Sequence, residues 1–246
     1  MFNRLTPARY AGFLALIALA FALVSTVLSY TIFVPGTDID TYKNQLGAIG
    51  LSSTILTLYN ATLLIVCALI SIRIAGMRRG VVVVYWAGLF VVFLLLALEK
   101  LTNGNEVFFA VFRTWISQID YFRDNWYWYT SVLFAGLFGL VLLVLYLPFL
   151  LRLNRQTLVL FILGGVLFVV GSFGIDLASA LFIQDNRYIE VSQQTALLMA
   201  ALNGLESFVE TLSSVVFFYA LLKYHLRRDS LEDSSTFRIR QSGVYS

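Results

Sequence analysis

The 246-residue chain holds one cysteine, one histidine and three prolines, and only 13% of its residues are charged. A lone cysteine, Cys67, excludes an intramolecular disulfide and a thiolate metal cage. The one histidine, His225, follows the last apolar run. Paired-histidine haem ligation, His-rich zinc chemistry and serine–histidine catalysis therefore lack their usual groups inside the apolar segments. A soluble domain carries about a quarter charged residues. A charged fraction of 13%, with 59% hydrophobic residues and a mean hydropathy of +0.83, excludes both a water-soluble globule and a disordered chain. The net charge of +3 would suit nucleic acid in a soluble protein. In a membrane protein it reflects basic loops on one side, so no nucleic-acid partner is expected.

What is present is a set of long apolar runs. About 20 apolar residues cross about 30 Å of hydrocarbon as a helix. Six runs qualify, at about 10–33, 47–72, 80–98, 126–147, 157–182 and 195–224. The expected fold is all-α: a polytopic membrane bundle of six transmembrane helices over 1–225, with a disordered tail at 226–246. A β-barrel would show alternating segments of about ten residues instead. Arg4, Arg9 and the Ala20-Phe21-Ala22 triplet resemble a secretory signal, but the apolar run continues to Val34, which reads as a retained first span.

The basic residues divide unevenly. One side takes Arg4, Arg9, Arg73, Arg78, Arg79, Arg152, Arg155, Lys223, Arg227, Arg228, Arg238 and Arg240; the other takes Lys43, Lys100, Arg113, Arg123 and Arg187 of the 17. The positive-inside rule puts both termini in the cytoplasm of a multi-pass plasma-membrane protein. The longest connection, 99–125, is then outer. Val107, Phe108, Val111, Phe112, Trp115, Ile116 and Ile119 recur there at helical spacing, which predicts an amphipathic surface helix or lid over 104–122. The Trp126–Tyr129 aromatics read as an interfacial belt. No internal repeat is visible.

Ionisable groups inside spans are the informative ones, because each costs about 2.5–3.5 kcal/mol at mid-membrane. Asp176, Glu206 and Glu210 lie within spans, and Glu99 ends the third. At 1.5 Å per residue, Glu210 lies about 20 Å and Glu206 about 26 Å above Lys223, and Asp176 about 30 Å above Gln156. All four carboxylates fall in the outer half. On the sixth span Met199, Asn203, Glu206, Glu210, Ser213, Ser214 and Phe217 form one polar stripe. Ser53, Thr57, Asn60, Cys67 and Ser71 form a milder one on the second. Ser172, Asp176 and Ser179 share a side of the fifth span, and Gly164, Gly171, Gly174 and Ala178 make a small-residue stripe suited to close packing. Polar faces should turn inward, since lipid cannot satisfy them.

The expectation is an acid-lined cavity in the outer half, with Glu206, Glu210, Asp176, Glu99, Asn203 and Asn60 as candidate proton- or cation-binding residues. Lys100 and Arg113 could instead neutralise the acids as internal ion pairs. Whether a metal is bound stays open, and no cofactor site is evident. Enzymatic readings are thin. Gly171 to Asp176 faintly resembles the glycine–aspartate motif of intramembrane aspartyl proteases, with the wrong spacing and no partner aspartate.

Several segments together resemble a group of uncharacterised bacterial multi-pass membrane proteins. These are Glu99-Lys100 with Asn105-Glu106, Gly171 to Asp176, Glu206-Ser207-Phe208-Val209-Glu210-Thr211-Leu212, and Tyr219-Ala220-Leu221-Leu222-Lys223-Tyr224. In that group the third span ends in Asp-Glu followed by His-Glu, and the last span carries Glu-Met-Leu-Gly before Tyr-Ala-Leu-Leu. Here the histidine is Asn105 and the acid pair is Glu99-Lys100. The resemblance implies six to seven spans and transfers no activity. Three functions follow for testing: a small cation or proton channel or carrier, a non-catalytic structural or assembly subunit of a membrane complex, and a lipid-binding or lipid-modifying enzyme. The expected partners are the bilayer, with other membrane subunits or a second copy of the chain.

Overall fold

The computed structural model describes the backbone over residues 6–31, 51–102, 129–175 and 193–242, together with Ala178. These residues form six helices and no strand: α1 (Pro7–Thr31), α2 (Leu51–Gly76), α3 (Val81–Thr102), α4 (Tyr129–Leu150), α5 (Arg155–Val169) and α6 (Gln193–Ser242). A π-helical segment, Val170–Ile175, extends α5. Five helices are long and apolar enough to cross a membrane: α1, α2, α3, α6, and α5 with the start of its π-segment. In α4 the described apolar stretch is Gly139–Leu150. The expected amphipathic segment 104–122 lies outside the described residues.

Local chemistry sets the boundaries. Pro7 opens α1 in the first turn, where its missing N–H has no partner to lose. Gly80 adopts φ +68° between α2 and α3, a left-handed conformation that glycine takes without a Cβ penalty. The resulting short link folds α3 back on α2. Asn154 caps α5 by accepting a hydrogen bond from the Thr157 N–H at 3.0 Å. α6 runs as one helix from Gln193 to Ser242. Extending an existing helix avoids the nucleation cost that an isolated polar segment would meet.

α6 is the hub. It packs on α1, α2, α5 and the π-segment, while α2 packs on α3. Its partners are held in register by small residues and large side chains. A Cβ at Gly204 would meet Ala22 O of α1 at 3.4 Å, and α1 buries Ala18, Ala22, Ser25 and Ser29 along one stripe. A Cβ at Gly171 would lie 2.9 Å from Glu210 N, and one at Gly164 would lie 2.9 Å from the Phe217 ring. The expected small-residue stripe is therefore half right: Gly174 and Ala178 are exposed, and among the described residues a Cβ at Gly174 would meet only Val170 Cγ1 of its own helix.

α3 meets α6 through long side chains. Trp86 lies 4.9 Å from Tyr224 and Phe93 lies 5.3 Å from Phe217, centroid to centroid, and Lys100 reaches Glu210. Each step is seven residues up α3 and seven down α6, or about 10 Å. Gly164 of α5 and Gly171 of its π-segment face the same two α6 residues, Phe217 and Glu210. The helices thus share stacked layers: two aromatic, then one ionic.

Gly171→Ala is expected to destabilise the fold by about 1–3 kcal/mol, because its methyl must displace α6 backbone. Gly174→Ala, whose Cβ would meet only Val170 Cγ1 at 3.9 Å, should not. Unfolding of the two variants in SDS titrations from mild detergent measures the difference.

Candidate functional site

The ionic layer is the candidate site. Lys100 Nζ donates to Glu210 Oε1 at 3.0 Å and lies 2.9 Å from Oε2. Glu99 Oε2 is 3.7 Å from the same ammonium. Ser172 Oγ, from the π-segment, donates to Glu210 Oε1 at 2.6 Å. The wider π-turn lets consecutive residues both serve α6, Gly171 by close approach and Ser172 by its hydroxyl. Side chains of Lys100 and Glu210 are only 18% and 11% exposed, so the pair is shielded from water and its attraction is strong.

The pair borders a polar cleft of about 130 Å³ between α2, α3 and α6. α2 contributes Leu56, Thr57 and Asn60, α3 contributes Glu99 and Lys100, and α6 contributes Ser207, Glu210 and Thr211. Asn60 is fixed by Ser214, whose hydroxyl donates to Asn60 Oδ1 at 2.6 Å. Ser213 and Thr211 donate to α6's own carbonyls of Glu210 and Ser207. On α2, Ser71 Oγ donates to the Cys67 carbonyl at 2.8 Å. Cys67 is a buried thiol packed against α6.

Of the candidate residues, Glu99, Glu210 and Asn60 converge on this cleft. Glu206 lies one turn above Glu210, half-buried, near enough for its charge to act on Lys100. Asn203 is half-buried on the same helix and does not line the cleft. Asp176 lies outside the described residues. Lys100, expected at most as a neutralising neighbour, sits at the centre of the cluster. Its position at the end of an apolar run resembles an interfacial anchor, and only its long reach toward α6 reveals its role. Ser172, Ser207 and Thr211 were not singled out as ligands: isolated hydroxyls in apolar spans commonly bond their own helix backbone.

Comparison with protein-family models, curated proteins and solved structures gives no significant match.

Lys100→Met leaves the Glu210 carboxylate without its counter-charge and is expected to destabilise by about 3–5 kcal/mol. Adding Glu210→Met should recover most of that loss, as apolar residues replace the whole pair. Full stability in the single variant, read by the same SDS titration, would show that the pair holds nothing together.

Proposed function

We propose that the protein is an integral membrane protein that binds and moves a proton or small cation through the Glu99–Lys100–Glu210 cluster. The observation carrying this reading is a cation, the Lys100 ammonium, tethered between two carboxylates beside a polar cleft in otherwise apolar spans. The ammonium occupies the place a transported cation would take, so entry of one requires Lys100 to withdraw. A proton arriving on Glu210 would do the same by removing the negative charge that holds it. Glu99 and the hydroxyls of Thr57, Ser207 and Thr211 offer the next oxygen positions toward the aqueous phase. The charge bias of the loops favours placing this cluster in the outer half of a plasma membrane, with both termini cytoplasmic.

A second reading is favoured by one specific feature. Both Glu210 oxygens are already satisfied within the bundle, and Gly171 presses against the same residue. That arrangement suits a non-catalytic structural or assembly subunit, in which the pair locks three helices together. A monodisperse particle free of other proteins after mild extraction counts against the subunit reading.

Flux decides the first reading. Purified full-length protein in liposomes with an internal pH dye should acidify the lumen under an imposed potential faster than empty liposomes. Glu210→Gln and Glu99→Gln should each lower that rate about tenfold, a barrier increase of about 1.4 kcal/mol. Unchanged flux in both correctly folded variants sinks the proposal for protons, and the same assay with a sodium dye does so for sodium.

A further inference from the structure

The opposite end of the bundle carries a second, independent feature. Arg73, Arg79, Arg152 and Arg155 are exposed there, and among the described residues none of these side chains has a hydrogen-bond or ion-pair partner. Arg78 is held differently: it donates to the Tyr224 hydroxyl and lies over that ring, 5.4 Å from its centroid. An aromatic plate joins the turns. Tyr224 packs on Trp86 at 4.9 Å, Trp86 on Phe149 at 5.1 Å, and Phe149 stacks on Tyr85 at 5.2 Å. The Arg78–Arg79 turn and the Arg152–Arg155 turn, far apart in sequence, thus flank one aromatic cluster at the same end of the bundle. The described acids in the bundle, Glu99, Glu206 and Glu210, are all at the other end, and acidic residues enter here only with Asp229, beyond Arg227 on α6.

Two further observations define what such an end would take. Among the described residues Arg78 Nε and Trp86 Nε1 are buried donors without an acceptor, and both side chains pack against Tyr224, with Trp86 fully buried beneath the surface a ligand could reach. The exposed guanidinium groups are donors only, so the complementary ligand is a group made of acceptors. Strongly exposed apolar side chains flank the arginines: Val81 and Val84 beside Arg79, and Leu151 beside Arg152. An anion with attached acyl chains uses both surfaces, whereas a free anion uses only the first.

We propose that the Arg78–Arg79 and Arg152–Arg155 turns form a binding site for the phosphate-bearing headgroup of an anionic phospholipid, whose chains lie along Val81, Val84 and Leu151. Guanidinium groups hold phosphate oxygens through directed, charge-assisted hydrogen bonds, and a paired set of turns fixes their position better than isolated surface charges do.

The test uses the purified full-length chain in neutral detergent, with thermal unfolding followed as phosphatidylglycerol, phosphatidylcholine or inorganic phosphate is added. Phosphatidylglycerol should raise the melting temperature by several degrees at concentrations where phosphatidylcholine does not. The combined Arg79→Gln and Arg152→Gln variant should need about tenfold more phosphatidylglycerol for the same shift. Both residues are exposed, so the variant should melt as the parent does without lipid. Tyr224→Phe, which keeps the ring stack and loses the hydroxyl, should weaken the response less. Equal shifts with both lipids overturn the proposal, as does a phosphatidylglycerol response that the double variant leaves intact. A shift by inorganic phosphate as large as that by phosphatidylglycerol overturns the lipid as the source and leaves a free-phosphate site.

Discussion

One interaction organises this bundle: the contact of the Lys100 ammonium with the Glu210 carboxylate. Each charge alone would be costly among apolar helices, and neither is withdrawn to water. Together, with the Ser172 hydroxyl on the carboxylate, they become tolerable. A buried pair of this kind adds little net stability compared with apolar packing, but it penalises every arrangement that separates it. α3, the π-segment and α6 are therefore bound to one relative position. The polar cleft exists because the pair, Glu99 and the nearby hydroxyls need solvation that lipid cannot supply.

The remaining contacts are consistent with that fixed point. Between membrane helices no hydrophobic force draws apolar faces together, so association rests on close packing and directed bonds. Gly204 against α1 and Gly171 against the backbone of Glu210 provide the close packing. Asn60 with Ser214, Tyr59 with the Leu14 carbonyl, and Gln193 with Tyr30 provide the bonds. Where α3 stands off from α6, aromatic rings fill the space. The broad lipid-facing surfaces of α1, α3 and α5 remain apolar, with side chains such as Leu16, Val84 and Val159 more than half exposed.

Much of this was legible in the residues. Continuous apolar runs identify the helices because few other structures bury backbone polarity in lipid. The polar stripe on α6 turned inward as its 100° period required, with Glu210, Ser213 and Ser214 buried. Asn60, Cys67 and Ser71 did the same on α2. Other features leave little trace in a linear reading. The buried Ala18, Ala22, Ser25 and Ser29 of α1 are small residues in an almost uniformly apolar helix, so no contrast marks the packed side. The central place of Lys100 depends on tertiary reach rather than on spacing. The π-turn at Val170–Ile175 shifts Ser172 onto Glu210, a change of phase that a regular 3.6-residue wheel cannot represent. For the same reason Gly174 and Ala178 leave the packed side that Gly164 and Gly171 occupy.

The seven-residue stepping along α3, α5 and α6 carries a geometric consequence. Straight α-helices drift by about 20° for every seven residues, so a seam that persists over such steps requires the helices to wind around one another with a left-handed superhelical sense. Trp86, Phe93 and Lys100 keep that seam over two full steps against α6. α5 and its π-segment keep it from Gly164 to Gly171, where the π-turn inserts extra arc into the path. The path of α5 and its π-segment around α6 therefore changes phase at the level of Glu210, where Ser172 is turned onto the carboxylate.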